Sequence, residues 1–248
     1  MLQNFESIVL IWLGIGFITF ITLLKIPAPY GKFSKTNWGP MIPSKLGWIV
    51  MEIISPLALL YFFLNGNIEK TPTNITFVSL WTLHYFNRSV IYPLRQNNPA
   101  QMPLLIAVLA FLFNVMNGYI NGTYFGSIQE YSAEYMSNWN FIVGVCLFII
   151  GAYINIKSDN ILLSLRSKSG EYKIPEGFMF RYVSFPNYFG EILEWMAFAI
   201  MTWSLAGLSF MIWTMANLVP RAIKGHQWYH SKFESYPKNR KAIFPFII

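Results

Sequence analysis

A chain of 248 residues with only 11 carboxylates offers few groups for polar chemistry, so their placement is informative. Glu52 falls inside an apolar run from Trp48 to Leu64. A carboxylate at mid-helix in a membrane costs about 2.5–3.5 kcal/mol on insertion scales, which marks it by default as a functional residue. In hydrocarbon the neutral acid is favoured, and a neutral carboxyl donates a hydrogen bond. A structural pairing with Arg88, or a wet position near a helix end, is the competing account. A second apolar run carries Trp81, His84, Tyr85, Arg88 and Tyr92. Their spacings of three, four and seven place most of them on one helical face. Such a face looks into a helix bundle, either as a polar packing seam with a snorkelling Arg88 or as a catalytic surface.

A third concentration of polar side chains runs from Ile154 to Trp195, the longest polar island in the chain. Asn155, Asp159 and Arg166 hang from the end of one apolar run, and Asn187, Glu191 and Glu194 open the next. Acids at a helix start are favoured by the helix dipole, which accounts for one of them. Two acids and an asparagine exceed what capping needs. Asp159 and Arg166 also suit an ordinary amphipathic segment at a membrane surface. The island reads as a binding site for a large charged ligand, a nucleotide by preference.

Other patterns carry less. Gly14-Ile15-Gly16 lies within the first apolar run with no strand before it, so a dinucleotide fold of the Rossmann type is excluded. His226 and His230 are four residues apart but lack a third ligand, and no metal site is expected. Asn74 and Asn121 open glycosylation triplets. Cys146 is the only cysteine, so no intrachain disulfide forms.

The elements that must position these groups are membrane helices. The chain is 54% hydrophobic, 18% aromatic and 12% charged, where soluble domains carry about 25% charge. The spacing predicts spans near 7–24, 48–64, 76–92, 102–119, 141–156, 192–204 and 207–219. The last two are split near Ser204–Gly207, because one helix from Ile192 to Val219 would reach about 42 Å against a hydrocarbon core of about 30 Å. With the N-terminus outside, every one of the 18 basic residues except Lys70 falls in an inward loop, at the inward end of a span (Arg88) or in the C-terminal tail. The positive-inside rule asks for this pattern, and it explains the net charge of +7 without nucleic acid. The expected fold is an all-α integral membrane protein with seven transmembrane helices, N-terminus outside and C-terminus cytosolic. The N-terminal MLQNFE lacks the basic start of a signal peptide, so the first run is read as a retained span. The basic, aromatic tail from His230 to Ile248 reads as a cap folded onto the inner face rather than a surface helix.

Several ordered segments resemble the membrane-embedded steroid 5α-reductases, which reduce the 4,5 double bond of 3-oxo-4-ene steroids. They are LHYFNRSVIYP (83–93), NIKSDNILLSLR (155–166), YKIPEGFMFRYVSFPNYFGEILEW (172–195), TWSLAGL (202–208) and FESYPKNRKAIFPFII (233–248). YGK (30–32) and the stretch from Trp48 to Glu52 agree as well. The resemblance implies one reductase domain over residues 1–248, with NADPH held inside the bundle under a cytosolic loop, 157–191. It implies Glu52 and Tyr85 as the groups that hydrogen-bond the steroid 3-ketone. It implies Asn155, Asp159, Arg166, Asn187, Glu191, Arg221 and Tyr229 as cofactor-binding residues, with Lys173 in place of a frequent arginine. His226 remains from a histidine cluster here reduced to Lys224-Gly225-His226. Met51 stands where the animal steroid enzymes have glutamine and where plant relatives also have methionine.

Donors aimed at a ketone oxygen suit hydride addition to an enone, which places negative charge there. Rival readings are a reductase of enoyl or polyprenoid lipids, an S-adenosylmethionine-dependent membrane methyltransferase, and a non-enzymatic sterol-binding protein. The methyltransferase expects paired acids near the C-terminus, where Glu234 stands alone. The expected partners are a steroid or another hydrophobic enone and the lipid bilayer, with the protein a monomer. Its setting is a bacterial cytoplasmic membrane or the endoplasmic reticulum.

Overall fold

A computed structural model describes residues 2–96, 100–165 and 172–248. Its helices in chain order are α1 (Leu2–Lys25), α2 (Ser44–Leu64), α3 (Pro72–Phe86), α4 (Tyr92–Leu94), α5 (Leu104–Thr123), α6 (Trp139–Leu165), α7 (Pro186–Thr202) and α8 (Leu205–Lys232). Two short strands, β1 (Met41–Pro43) and β2 (Gln101–Pro103), form an antiparallel pair. The chain divides into two compact units, Met1–Val9 with Ala28–Ile142, and Leu10–Pro27 with Val143–Ile248.

In the first unit, α2 packs along α5, and the sequence shows why. Gly118, Gly122 and Gly126 recur every fourth residue. A Cβ on Gly118 would stand 2.6 Å from the Ala58 Cβ, and one on Gly122 would stand 2.5 Å from the Leu59 carbonyl. Small residues at this spacing let two backbones approach, which is how helices associate where lipid offers no hydrophobic incentive. The strands fix the register at one end, where Ser44 N–H donates to the Ala100 carbonyl at 2.9 Å and Leu104 N–H to Pro40 at 2.8 Å. Pro43 and Pro103 end the strands and start α2 and α5.

The helical path of α3 continues to Leu94 through a π-helical turn, Asn87–Ile91. A turn of this type is frequent at functional sites, and here it begins two residues after Tyr85. Trp81, His84 and Tyr85 are buried, as the helical-face reading expects. Arg88 lies over the Trp48 ring at 5.3 Å and the Tyr92 ring at 5.1 Å.

In the second unit, α6 meets α7 at Gly144 and Gly151, where a Cβ would stand 2.5 Å from the Met201 Cβ and 2.7 Å from the Gly190 carbonyl. Between α7 and α8, Trp203 adopts a left-handed conformation (φ 46°). The Ser204 hydroxyl then caps α8 by accepting from Gly207 N–H at 3.0 Å. This break is where span length alone divides the sequence. Trp12 of α1 packs on Trp213 with ring centroids 4.5 Å apart, and the Trp213 indole donates to the Trp12 carbonyl.

Four helices are long and apolar enough to cross a membrane: Leu2–Lys25, Ser44–Leu64, Leu104–Ile128 and Trp139–Leu165. Their exposed faces are apolar, as with Leu10, Ile11, Phe17 and Ile18 of α1. α3, α7 and α8 are not among the four. α3 carries Thr73, Asn74, Thr76, Ser79 and His84, α7 carries Glu191 and Glu194, and the second half of α8 carries Arg221, Lys224 and Lys232.

The polar island is largely helical at both ends. α6 continues to Leu165, so Asn155 and Asp159 lie on a helix, and α7 begins at Pro186. The first turn of α7 holds no acid. Glu191 and Glu194 sit beyond it, where the dipole's influence has faded, so helix polarity does not explain these two acids.

Candidate functional site

Two sets of polar side chains stand out, one in each unit. In the first, Tyr85 is 4% exposed, and the residues that hold it are themselves tied to α2. Its ring stacks on Trp81, with centroids 5.6 Å apart and planes at 25°, and His84 stands edge-on at 5.3 Å. The Trp81 indole N–H donates to Ser55 Oγ on α2 at 3.2 Å. The Tyr85 hydroxyl donates to Asn114 Oδ1 on α5 at 3.1 Å, and Asn114 Nδ2 donates to the Met51 carbonyl at 2.6 Å. A backbone carbonyl only accepts, so the amide nitrogen must face Met51 and the amide oxygen must face the phenol. Glu52, the next residue along, is half-buried. Pro56 lies four residues after Glu52 and has no N–H to give to its carbonyl, which loosens α2 at the acid.

In the second unit, Asn155, Asp159, Asn187 and Glu191 come together from α6 and α7. Asn155 Nδ2 donates to the Asn187 carbonyl at 2.9 Å and reaches Glu191 Oε2 at 3.5 Å. Asn187 Nδ2 donates to Asp159 Oδ1 at 3.1 Å. Asn155, Asp159 and Asn187 are all buried. Asn187 Oδ1 is buried with no hydrogen-bond partner among the described residues, as is Ser158 Oγ on the adjoining turn of α6. Leaving such groups unpaired costs roughly 1–3 kcal/mol each, so an acceptor beside a buried carboxylate calls for a ligand that brings hydroxyl or amide donors. A nucleotide's ribose and carboxamide meet that need.

The other residues singled out in the sequence flank this cluster or stand apart from it. Arg221 Nε donates to the Tyr188 hydroxyl at 3.1 Å. Tyr229 is buried, with its ring stacked on Tyr236 at 5.1 Å. His226 Nδ1 lies 2.6 Å from Ser184 Oγ, and the Tyr236 hydroxyl donates to that oxygen at 2.7 Å. Burial, then neighbouring His230 and Lys241, hold the His226 imidazole below its ordinary pKa. Lys173 is exposed, while Arg166 lies outside the described residues. Among the described residues no group of three His, Cys, Asp or Glu is placed to hold a metal ion.

The tail folds onto the segment before α7, as the cap reading expects. Lys241 pairs with Val183, Ser184 N–H donates to the Lys241 carbonyl at 2.8 Å, and Phe185 N–H donates to Ala242 at 3.1 Å. Arg240 is 6% exposed, donates from Nη1 to the Pro175 carbonyl at 2.9 Å, and covers the Tyr236 ring.

Several of these residues escape sequence reasoning. Asn114, Asn117 and Asn121 form a buried polar face on α5, at spacings of three and four in an apolar run, a signal as clear as that of Glu52. Ser184, Tyr236 and Arg240 meet only through tertiary folding, and no local spacing announces them. The glycosylation triplets prove to be structural. Asn74 is fully buried, with Nδ2 donating to the Phe125 and Gln129 carbonyls and Oδ1 accepting from Tyr131 N–H. Asn121 is equally buried and donates to the Asn117 carbonyl.

The family described as 3-oxo-5-alpha-steroid 4-dehydrogenase matches residues 100–248. Steroid 5-alpha-reductase DET2 of Gossypium hirsutum is 43% identical over 238 residues, covering 92% of each chain. The protein of the same name from Solanum lycopersicum is 43% identical over 248 residues, covering 98% of this chain and 96% of its own. The 3-oxo-5-alpha-steroid 4-dehydrogenase 1 of Rattus norvegicus is 37% identical over 238 residues, covering 94% and 91%.

Proposed function

Because the chain belongs to the 3-oxo-5-alpha-steroid 4-dehydrogenase family, we propose that it reduces the 4,5 double bond of a 3-oxo-4-ene steroid to the 5α product, using NADPH, from within a membrane. The observation that carries the reading is the buried phenol of Tyr85, hydrogen-bonded to Asn114 of α5 in the unit that also holds Glu52. A donor held rigidly in a dry site is what a developing oxyanion requires, and such a donor contributes about 2.7–4 kcal/mol to the barrier.

NADPH, when bound, would supply the hydride for the far carbon of the enone double bond, C5, and C4 would then take a proton from solvent to complete the two-hydrogen addition. In the first of these steps negative charge gathers on the 3-oxo oxygen, and Tyr85 with a neutral Glu52 donates hydrogen bonds to it. The buried Asp159, Asn187 and Asn155 take the donors of the cofactor's sugar and amide groups. Glu191 holds Asn155 in orientation, and Arg221, Arg166 and Lys173 would meet the cofactor's phosphates, the two guanidiniums bidentately and the ammonium as a point charge. His226 and Tyr229 complete the cofactor's surroundings. Seven membrane helices with the N-terminus outside bring all of these cofactor residues to the cytosolic side.

The test is mass spectrometry of steroid after purified protein is incubated with a 3-oxo-4-ene steroid and NADPH. A product heavier by two hydrogens with 5α configuration supports the reading. Tight NADPH binding without product moves the substrate to another conjugated lipid. Neither product nor NADPH binding removes the reading.

A further inference from the structure

The phenolic proton of Tyr85 is already committed. It is donated to Asn114 Oδ1 at 3.1 Å, and the direction is not open to reversal. Asn114 Nδ2 is held 2.6 Å from the Met51 carbonyl, an acceptor only, so the side-chain oxygen must face Tyr85 and the phenol must donate. Asn114 is 3% exposed and Tyr85 4%, so no water competes for this bond. A phenol has one proton, and a donor to a substrate ketone has to give that same proton to the ketone.

We propose that Asn114 is a positioning residue of the reduction site, which holds the Tyr85 proton at rest and yields it to the substrate ketone. The proposal rests on Tyr85 being the ketone donor, as argued above. No covalent bond changes: the hydroxyl turns about its C–O bond, releasing one carbonyl oxygen for another. The exchange is close to balanced while the ketone is neutral, because an amide oxygen and a ketone oxygen are similar acceptors. It tips toward the substrate as negative charge builds on the ketone, since hydrogen bonds to ionised acceptors are roughly twice as strong. Asn114 meanwhile fixes where the phenol oxygen sits, through its own anchor on the carbonyl of Met51, next to Glu52.

A double-mutant cycle tests this. Asn114→Leu, Tyr85→Phe and the double variant are purified, and thermal unfolding, NADPH affinity, kcat and KM are measured for each. The expected result is a fall of about tenfold or more in kcat for Asn114→Leu, with NADPH affinity within about twofold of the parent. In the Tyr85→Phe background the same substitution changes kcat by less than about twofold, because there is no phenolic proton left to hold. An equal fall in both backgrounds overturns the proposal and leaves Asn114 as packing alone. No fall in the parent background overturns it too. Full activity in Tyr85→Phe removes the parent reading itself and is distinguishable from both. If Asn114→Leu does not fold, Asn114→Ser, which is polar but too short to reach both partners, is carried through the same cycle with the same expectations.

Discussion

Replacing Gly190 by alanine adds one methyl group where α6 and α7 touch, and the structure says what that methyl group meets. Its Cβ would stand 2.5 Å from the Asn155 backbone nitrogen and 2.7 Å from the Gly151 carbonyl oxygen. Both are backbone atoms, so no rotamer change relieves the clash. Ordinary contact begins at 3.4 Å, so the helices must part by about 0.9 Å at this point. That movement takes the Asn155–Asn187 hydrogen bond from 2.9 Å to about 3.8 Å, and the Asn187–Asp159 bond from 3.1 Å to about 4.0 Å. Overpacking costs about 1–3 kcal/mol and the two buried hydrogen bonds about 1 kcal/mol each, roughly 3–5 kcal/mol together. The unfolding midpoint should drop by roughly 6–20 °C, from about 2–4 °C per kcal/mol for a chain of this size. NADPH affinity, read by fluorescence titration, should weaken about tenfold or more as the acceptors lose their alignment. Gly14→Ala is the control, since nothing lies within 4 Å of its added Cβ. If Gly190→Ala matches Gly14→Ala in both melting and affinity, the close approach does not hold the cluster and the reasoning is wrong.

Three further outcomes follow from the geometry. Glu52→Gln and Tyr85→Phe should each lower kcat by about 10²–10³ while leaving NADPH affinity unchanged, since neither lies among the residues assigned to the cofactor. His226 has a folded pKa below its ordinary 6.5, so the unfolded chain binds the proton first. Stability should therefore be complete above about pH 6.5 and decline as pH falls from there toward the folded value. His226→Gln should flatten that part of the pH–stability curve, and an unchanged curve would refute the assignment. Asn74 and Asn121 should stay unglycosylated in a glycosylating host, because both are fully enclosed in the fold; a mass increase removed by a glycosidase would contradict this.

Glu52 and the Trp81–His84–Tyr85 face could be read in advance because a membrane makes polarity conspicuous: each is an exception in an apolar run. The break at Ser204 was legible from length, since no single helix fits the distance. Asn114 carried the same kind of signal as Glu52, but an uncharged amide stands out less among leucines than a carboxylate does. The helical ends of the polar island were hidden because polarity argues for leaving the bilayer and says nothing about whether the helix stops there. α6 continues through Asn155 and Asp159 because these residues are held from α7, by contacts that neighbours in sequence do not reveal. The Tyr236–Ser184–His226 chain lies further from view, joining residues 52 positions apart.

The junction of residues 182–185 with Lys241 and Ala242 also sets an order of events during synthesis. Ser184 leaves the ribosome well before its hydrogen-bonding partner at Lys241, and α7 and α8 are made in the interval. At about 5–20 residues per second, that interval lasts roughly 3–11 s. Throughout it the backbone N–H groups of Ser184 and Phe185 have no tail to donate to. This segment is therefore completed after translation of the last two long helices, whatever order the rest of the chain follows. A chaperone or quality-control factor that recognises open backbone at 182–185 has those seconds in which to act.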